Sequence, residues 1–567
     1  MRLVRMMAAG VLLAGGLSAA RLPDRYFELI GAAMADVQSR LAAEPAAGLA
    51  KLETNPGWRH FPSAILMASV LHAKSHRANR HYQDPKVLAT ALAIGDLLAA
   101  EQEQKRFEAA LDRHRDAYMW VEAFRLLEPN LGAERRARWR SALVAYLTPL
   151  AADVAQRVDY PWYTGPYLGT SPNHYALWSS TIYLAGRVLG NKEWEALGAR
   201  VMHRFAAEEQ SPDGYWGEQN RSGPTTGYDY LTVTGVALYR EHSQDRAALG
   251  ALRRNTDFHE HYTYPDASPV ETHNDRNRYW SETMWGQFGF SNFADGRRYS
   301  EFLVDSYAAE PLGLEALGRL AQNALYYHEG PTQPIPQDRE SYVHQMSVPA
   351  GIRKTGPWVI ALSGLMDAPS ASQFRLDRQG HVSVFHKKTG LIVTGANSKS
   401  QPELATFWEK VGGQLYHMPF STRLRMDGPE DRLALAYNSF FSVLEIPQPS
   451  EREAQLRFVI HPKGKGADSA MTLQLCLKGG RELETGAGKK IVLGEQALEL
   501  GPAEIGGWIR HNGWTLRTDG AARLVWPVRP FNPYSNSPEG GIRNAVGALS
   551  TPLKRTAETI AFRIEVE

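Results

Sequence analysis

The sequence predicts an N-terminal incomplete α/α toroid followed by a C-terminal antiparallel β-sandwich. Three observations carry this. Apolar residues recur at i, i+3, i+4 and i+7 over most of the first two thirds of the chain. The period then shortens to two, the alternation of half-buried strands. Clusters of Gly, Pro, Asn and Asp separate the segments in both parts. With 567 residues, 43% of them hydrophobic, the chain has material for more than one large core.

Residues 1–20 stand apart. Arg2 and Arg5 precede the short apolar run MMAAGVLLAGGL, and Ser18-Ala19-Ala20 follows. That order of basic, apolar and small residues is a secretory signal in outline, too short in its apolar part to span a bilayer. The expectation is an exported chain, periplasmic or secreted, with no membrane insertion of the mature part. Cys476 is the single cysteine, so an intramolecular disulfide and a Cys-based metal cluster are excluded. It lies in the strand-like run MTLQLCLKGG and is expected in the core.

Residues 21–368 form the expected helical domain. FPSAILMASVLHA, KVLATALAIGDLLAAEQ, AYMWVEAFRLLE, RARWRSALVAYLTPLAADVAQ, YALWSSTIYLAGRVLG, EWEALGARVMHRFAAEEQ, YLTVTGVALYREH and GLEALGRLAQNALYYH follow one another with few strands between. Long apolar helices joined by short loops suit hairpins set in a ring. Residues 369–567 form the expected sheet domain, from HVSVFHKKTGLIVTGANS through AQLRFVIHP and GWTLRTDGAARLVWPV to ETIAFRIEVE.

The 63 Lys plus Arg are almost matched by 61 Asp plus Glu. A net charge of +2 offers no overall basic field for nucleic acid. Three loop segments of the helical half instead concentrate aromatic and polar groups. DYPWYTGPYLGTSPNHYALW holds Trp162, Asn173, His174 and Tyr175. PDGYWGEQNRSGPTTGYDYLT holds Trp216, Glu218, Tyr228 and Tyr230. SPVETHNDRNRYW holds His273, Asn274, Arg276, Arg278 and Tyr279. Aromatic faces stack on sugar rings, and loops on rigid helices are where binding groups are placed. The competing reading makes these aromatics wedges between helices. His344 and His328 lie near the expected domain junction, and Trp58, Arg59 and His60 offer a further cleft wall.

Asn173-His174 lies at the start of an apolar helix, where an amide and backbone N–H groups suit a carboxylate. Asn173 as a helix cap is the plainer alternative. Tyr228 and Tyr230 follow His174 by 54 and 56 positions (228 − 174 and 230 − 174) and open another helix. In these motifs the sequence resembles the heparinase II/III-like and alginate-lyase-type polysaccharide lyases. The resemblance implies an α/α toroid with a C-terminal β-sheet domain. It implies that Asn173 and His174 act with Tyr228 or Tyr230 on a uronic-acid polysaccharide by β-elimination, leaving a 4,5-unsaturated uronate end. Trp162, Tyr175, Trp216, Glu218, His273, Asn274, Arg276, Arg278, Tyr279 and His344 are then expected to line the substrate groove. No cofactor is required, and a structural metal ion in the sheet domain is compatible with the resemblance.

The chemistry fits these residue types. The C5 proton of a uronate is weakly acidic while its carboxylate is ionised, so donors must neutralise that group and stabilise the enolate-like dianion. An amide does so, and an Arg adds a charge-assisted clamp. Tyr and His are suited to moving the protons. One alternative is a glycoside hydrolase on the same toroid, which needs two facing carboxyl groups from Glu218, Asp229, Glu271 and Asp275. The other is a non-catalytic periplasmic protein that binds acidic glycans.

Overall fold

The computed structural model describes residues 22–43, 61–105, 117–165, 171–218, 223–274, 283–307, 312–366, 371–374, 379–396, 398–464, 467–518, 521–533 and 541–567. Among these, twelve helices precede the first strand: α1 (Asp24–Ala43), α2 (Phe61–Ala73), α3 (Pro85–Glu103), α4 (Ala117–Leu127), α5 (Ala133–Gln156), α6 (Pro172–Leu189), α7 (Lys192–Glu208), α8 (Thr226–Ser243), α9 (Arg246–His261), α10 (Gln287–Phe290), α11 (Ala294–Asp305) and α12 (Leu314–Tyr326).

The helices sort into two layers by burial. The even-numbered ones are buried nearly all round; in α2 every described side chain from Pro62 to His72 is buried. They form an inner circuit in which α2 packs on α4, α4 on α6, α6 on α8, α8 on α10, α10 on α12 and α12 back on α2. The circuit is thinnest at α10, which is only four residues long. The odd-numbered helices lie outside. α5 buries Trp139, Leu143, Tyr146 and Leu147, while Arg135 and Arg138 pair with Asp96 and Glu103 of α3.

Glycines set the closest approaches. α6 and α7 run antiparallel, with Gly186 against the backbone of Glu195 and Gly198 against Tyr183. A methyl group added to Gly186 would lie 2.2 Å from the Glu195 nitrogen. Gly186→Ala is therefore expected to destabilise the protein by about 1–3 kcal/mol or more, as overpacking does. Thermal unfolding checks this. Gly250→Ala on α9, where the nearest atom is an Arg254 side-chain nitrogen at 3.8 Å, is expected to leave the midpoint unchanged or raised.

α6 and α8 run parallel. Gly235 meets Ala176, the Tyr183 and Tyr239 rings lie 4.9 Å apart, and Arg187 Nη1 donates to the His242 carbonyl at 2.7 Å. These pairs are offset by 59, 56 and 55 positions (235 − 176, 239 − 183, 242 − 187). The N-terminal turns of α6 and α8 thus share one end of the ring.

The C-terminal part is two antiparallel sheets, of 11 and 9 strands, with a shared core that includes Leu433, Phe458, Leu473 and Phe562. Strand Glu453–Pro462 shows the expected alternation, turning Ala454, Leu456, Phe458 and Ile460 inward. The strands begin at Ser341–Gln345, well before residue 369. Strand Trp358–Ser363, WVIALS, is buried on both faces and so lacks the period-two signal, which displaced the expected boundary. Cys476, expected in the core, is half-buried just past strand Asp468–Leu475.

A second apolar layer joins the two parts. Tyr215, Phe258, Tyr262, Tyr264 and Val270 of the helical region pack on Ile352, Val359, Ala361 and Phe385 of the first sheet. Tyr264 stacks on Phe385 at 5.0 Å and its hydroxyl meets Ser383 Oγ at 2.6 Å. No described helix is long and apolar enough to cross a membrane.

Candidate active site

Asn173 is the second residue of α6, and Ser171, not Asn173, occupies the cap position. The Ser171 hydroxyl instead donates to Glu218 Oε2 at 2.6 Å, fastening the start of α6 to the loop after α7. Asn173 is fully buried, and neither its Oδ1 nor its Nδ2 has a hydrogen-bond partner among the described residues. An unsatisfied buried polar group costs about 1–3 kcal/mol, so an amide in this position calls for a reason other than packing. His174 is half-buried and stacks on Trp178, one turn on, at 5.3 Å and 13°. The Arg157 guanidinium covers the same Trp178 ring at 5.0 Å.

The first turn of α8 separates the two tyrosines. Residues two apart on a helix point to different sides. Tyr230 points into the core, where its hydroxyl meets that of Tyr299 at 2.5 Å, which in turn meets Thr263 Oγ1 at 2.7 Å. Its ring lies 4.0 Å from that of His259. Burial pushes its pKa up to about 12. Tyr230 is a core residue, a correction to its place among the catalytic candidates. Tyr228 is half-buried at the end of the ring where Asn173 and His174 lie.

Asp229, between them, is one of the carboxylates that a hydrolase would need. It accepts from the Trp216 backbone N–H at 2.9 Å and from Asn255 Nδ2 at 2.5 Å, and His259 Nε2 lies 3.1 Å away. It holds the turn that presents Tyr228. Glu271 is likewise buried, accepting from Thr394 Oγ1 at 2.9 Å and the Gly395 N–H at 3.2 Å; burial raises its pKa. Both oxygens of Asp229 are held by protein groups, whereas Glu271 Oε2 has no hydrogen-bond partner among the described residues.

Several expected groove residues are packing elements. Trp162 is fully buried. Trp216 stacks on Phe205 at 5.3 Å and 4°. Tyr175 donates to the Tyr160 carbonyl at 2.8 Å and accepts from Arg204 Nη2 at 2.7 Å, and burial raises its pKa well above the ordinary range. His273 is fully buried, with Nε2 2.9 Å from the Leu362 carbonyl. Asn274 is buried beside it. These aromatics fill the space between helix layers, and His273 joins the helical region to the sheet. Glu218 is buried at the Ser171 contact.

Arg276, Arg278 and Tyr279 lie outside the described residues, as do Asp275, Trp58, Arg59 and His60. His344 sits at the junction of the two parts, half-buried, with Nδ1 2.9 Å from the Tyr262 hydroxyl; burial and the neighbouring His261 lower its pKa to about 4. His328 is exposed and pairs with Glu241 at 2.7 Å. Ser171 and Asp229 are the positioning residues that sequence reasoning missed. Ser-Pro before an apolar helix was the available signal for the first, and Asp229 had none of its own.

No protein-family model matches the sequence, and no curated protein matches it. Solved structures do. The Streptomyces coelicolor A3 chondroitin AC lyase, solved in complex with chondroitin sulphate, aligns over 97% of this chain and 80% of its own with a TM-score of 0.53 and 13% identity. Heparinase III aligns over 84% of this chain and 75% of its own with a TM-score of 0.51 and 13% identity. The chain shares the fold of these polysaccharide lyases, a helical region followed by sandwich-like antiparallel sheets.

Proposed function

We propose that the protein is an exported, periplasmic or secreted polysaccharide lyase that cleaves a uronic-acid-containing polymer by β-elimination. The observation that carries this is the buried amide of Asn173, without a protein partner among the described residues and placed at the same ring end as Tyr228. In this reading Asn173 donates to the substrate carboxylate and stabilises the charge that develops as C5 loses its proton. Tyr228, with His174 from the same end of the ring, takes that proton and returns one to the leaving glycosidic oxygen. The C4–O bond breaks and a C4=C5 double bond forms. Arg276 and Arg278 supply positive charge for an acidic chain. The site of one hydrolase candidate argues against the alternative, because both oxygens of Asp229 are engaged inside the protein.

The test is a panel of uronate polymers followed by ultraviolet absorbance. A rising signal from the unsaturated uronate is expected with at least one of them. New reducing ends without that absorbance would mean hydrolysis, and binding without any product would mean a glycan-binding protein.

A further inference from the structure

The last turn of α9 and the first strand bring three metal-ligating side chains together; the same turn carries His259, which meets Asp229 beside Tyr228. Asp257 and His261 are four residues apart on α9 and so share a face. His344 faces them from strand Ser341–Gln345. One ligand atom from each lies within 4.8 Å of the other two. The two imidazoles stack with centroids 4.1 Å apart and planes at 20°.

The hydrogen bonds around them decide which ring nitrogens are available. His261 Nδ1 lies 2.8 Å from the Asp257 backbone carbonyl, which only accepts, and 3.5 Å from Asp257 Oδ1, so the proton sits on Nδ1 and the lone pair on Nε2. His344 Nδ1 lies 2.9 Å from the Tyr262 hydroxyl, and that hydroxyl faces the His344 carbonyl at 3.5 Å. In the tautomer protonated at Nδ1, His344 donates to the phenol oxygen and keeps its lone pair on Nε2. His344 Nε2 then turns its lone pair to the Asp257 carboxylate, 3.8 Å away and too far for a hydrogen bond. A cation held between the carboxylate and the two imidazoles would make each of them a ligand.

We propose that Asp257, His261 and His344 bind a divalent transition metal, zinc by preference, which fastens the end of helix α9 to the first strand of the sheet domain. Two imidazole nitrogens and one carboxylate suit zinc, cobalt or nickel and disfavour magnesium and calcium, which take oxygen ligands. Bonds of about 2.0–2.1 Å set tetrahedral ligand atoms roughly 3.4 Å apart, so small side-chain rotations close the present gaps. The Asp257 side chain is 53% exposed, which leaves a face for water as the fourth ligand. The Asp257 carbonyl and the Tyr262 hydroxyl are the outer partners that orient the two rings. Nearby Asp213 is engaged elsewhere, accepting from the Ser347 N–H at 2.7 Å and its hydroxyl at 2.6 Å. The ion would reinforce a junction otherwise made by the apolar layer around Phe258 and Tyr262. This assignment replaces substrate contact as the role of His344 and stands independently of the lyase reading.

Metal-stripped, tag-free, full-length protein titrated with zinc chloride tests it. Calorimetry is expected to show one zinc per chain, and the unfolding midpoint should rise with zinc but not with magnesium chloride. Cobalt chloride should give the visible absorption of a tetrahedral site. His344→Ala and Asp257→Asn should each weaken zinc binding by about 100-fold, the upper end of what losing even an outer partner costs. Their metal-free midpoints, compared with that of the stripped wild type, report folding. Should His344→Ala fail to fold, Asp257→Asn, at a half-exposed position, carries the test. Wild-type protein that ignores zinc, or variants that bind it as tightly as the wild type, would overturn the proposal.

Discussion

Asn173→Leu is expected to cut turnover by about 100- to 1,000-fold while leaving the protein as stable as the wild type, or more so. The rate loss is what removal of one preorganised donor to a developing oxyanion produces. The stability result runs against the usual rule for buried positions, because most core substitutions destabilise. Here the native amide is buried with neither polar atom paired among the described residues. Replacing an unsatisfied polar group by an apolar one of similar size removes a desolvation penalty and breaks no bond. A cap or a core-building amide would behave the opposite way, with activity kept and stability lost. Initial rates by ultraviolet absorbance, with thermal unfolding of the same preparations, distinguish the two. An active and destabilised Asn173→Leu would remove Asn173 from the site.

The ring was legible because helices of apolar period follow one another through short loops. α2, FPSAILMASVLHA, is apolar at most positions and packs on both α4 and α12. The pairing of the site residues was legible for a related reason. His174 and Tyr228 are 54 positions apart (228 − 174), close to the offsets of 55 to 59 that align the parallel helices α6 and α8. A helix, a turn and a returning helix between them make that separation a structural repeat, so residues so spaced land at one end of the ring. The aromatic loops misled for a physical reason. Trp162, Tyr175 and Trp216 sit where the two helix layers meet, and the large rings that suit a sugar also suit the gap between helices. Nothing in a local window tells a ring stacked on Phe205, as Trp216 is, from one open to a ligand. Asp229 was illegible because all its partners, Trp216, Asn255 and His259, come from other segments.

The two tyrosines of α8 give the second large effect, as a contrast. Tyr228→Phe is expected to lower turnover by about 100- to 10,000-fold, the range for losing a positioned proton-transfer group, while the protein stays folded. Tyr230→Phe is expected to keep most activity and to destabilise by about 1 kcal/mol. It deletes one hydroxyl from the Tyr230–Tyr299–Thr263 chain and leaves Tyr299 still bonded to Thr263 Oγ1. Electrostatics point the same way. A general base must lose its proton near neutral pH, and burial drives Tyr230 in the other direction, up to about 12. Tyr228, half-buried on the first turn of α8, is open to substrate in the proposed mechanism. Steady-state rates and thermal melts on the two single variants separate the roles. Loss of activity in Tyr230→Phe alone would move the proton transfer into the core network, and full activity in both would leave the elimination without its base.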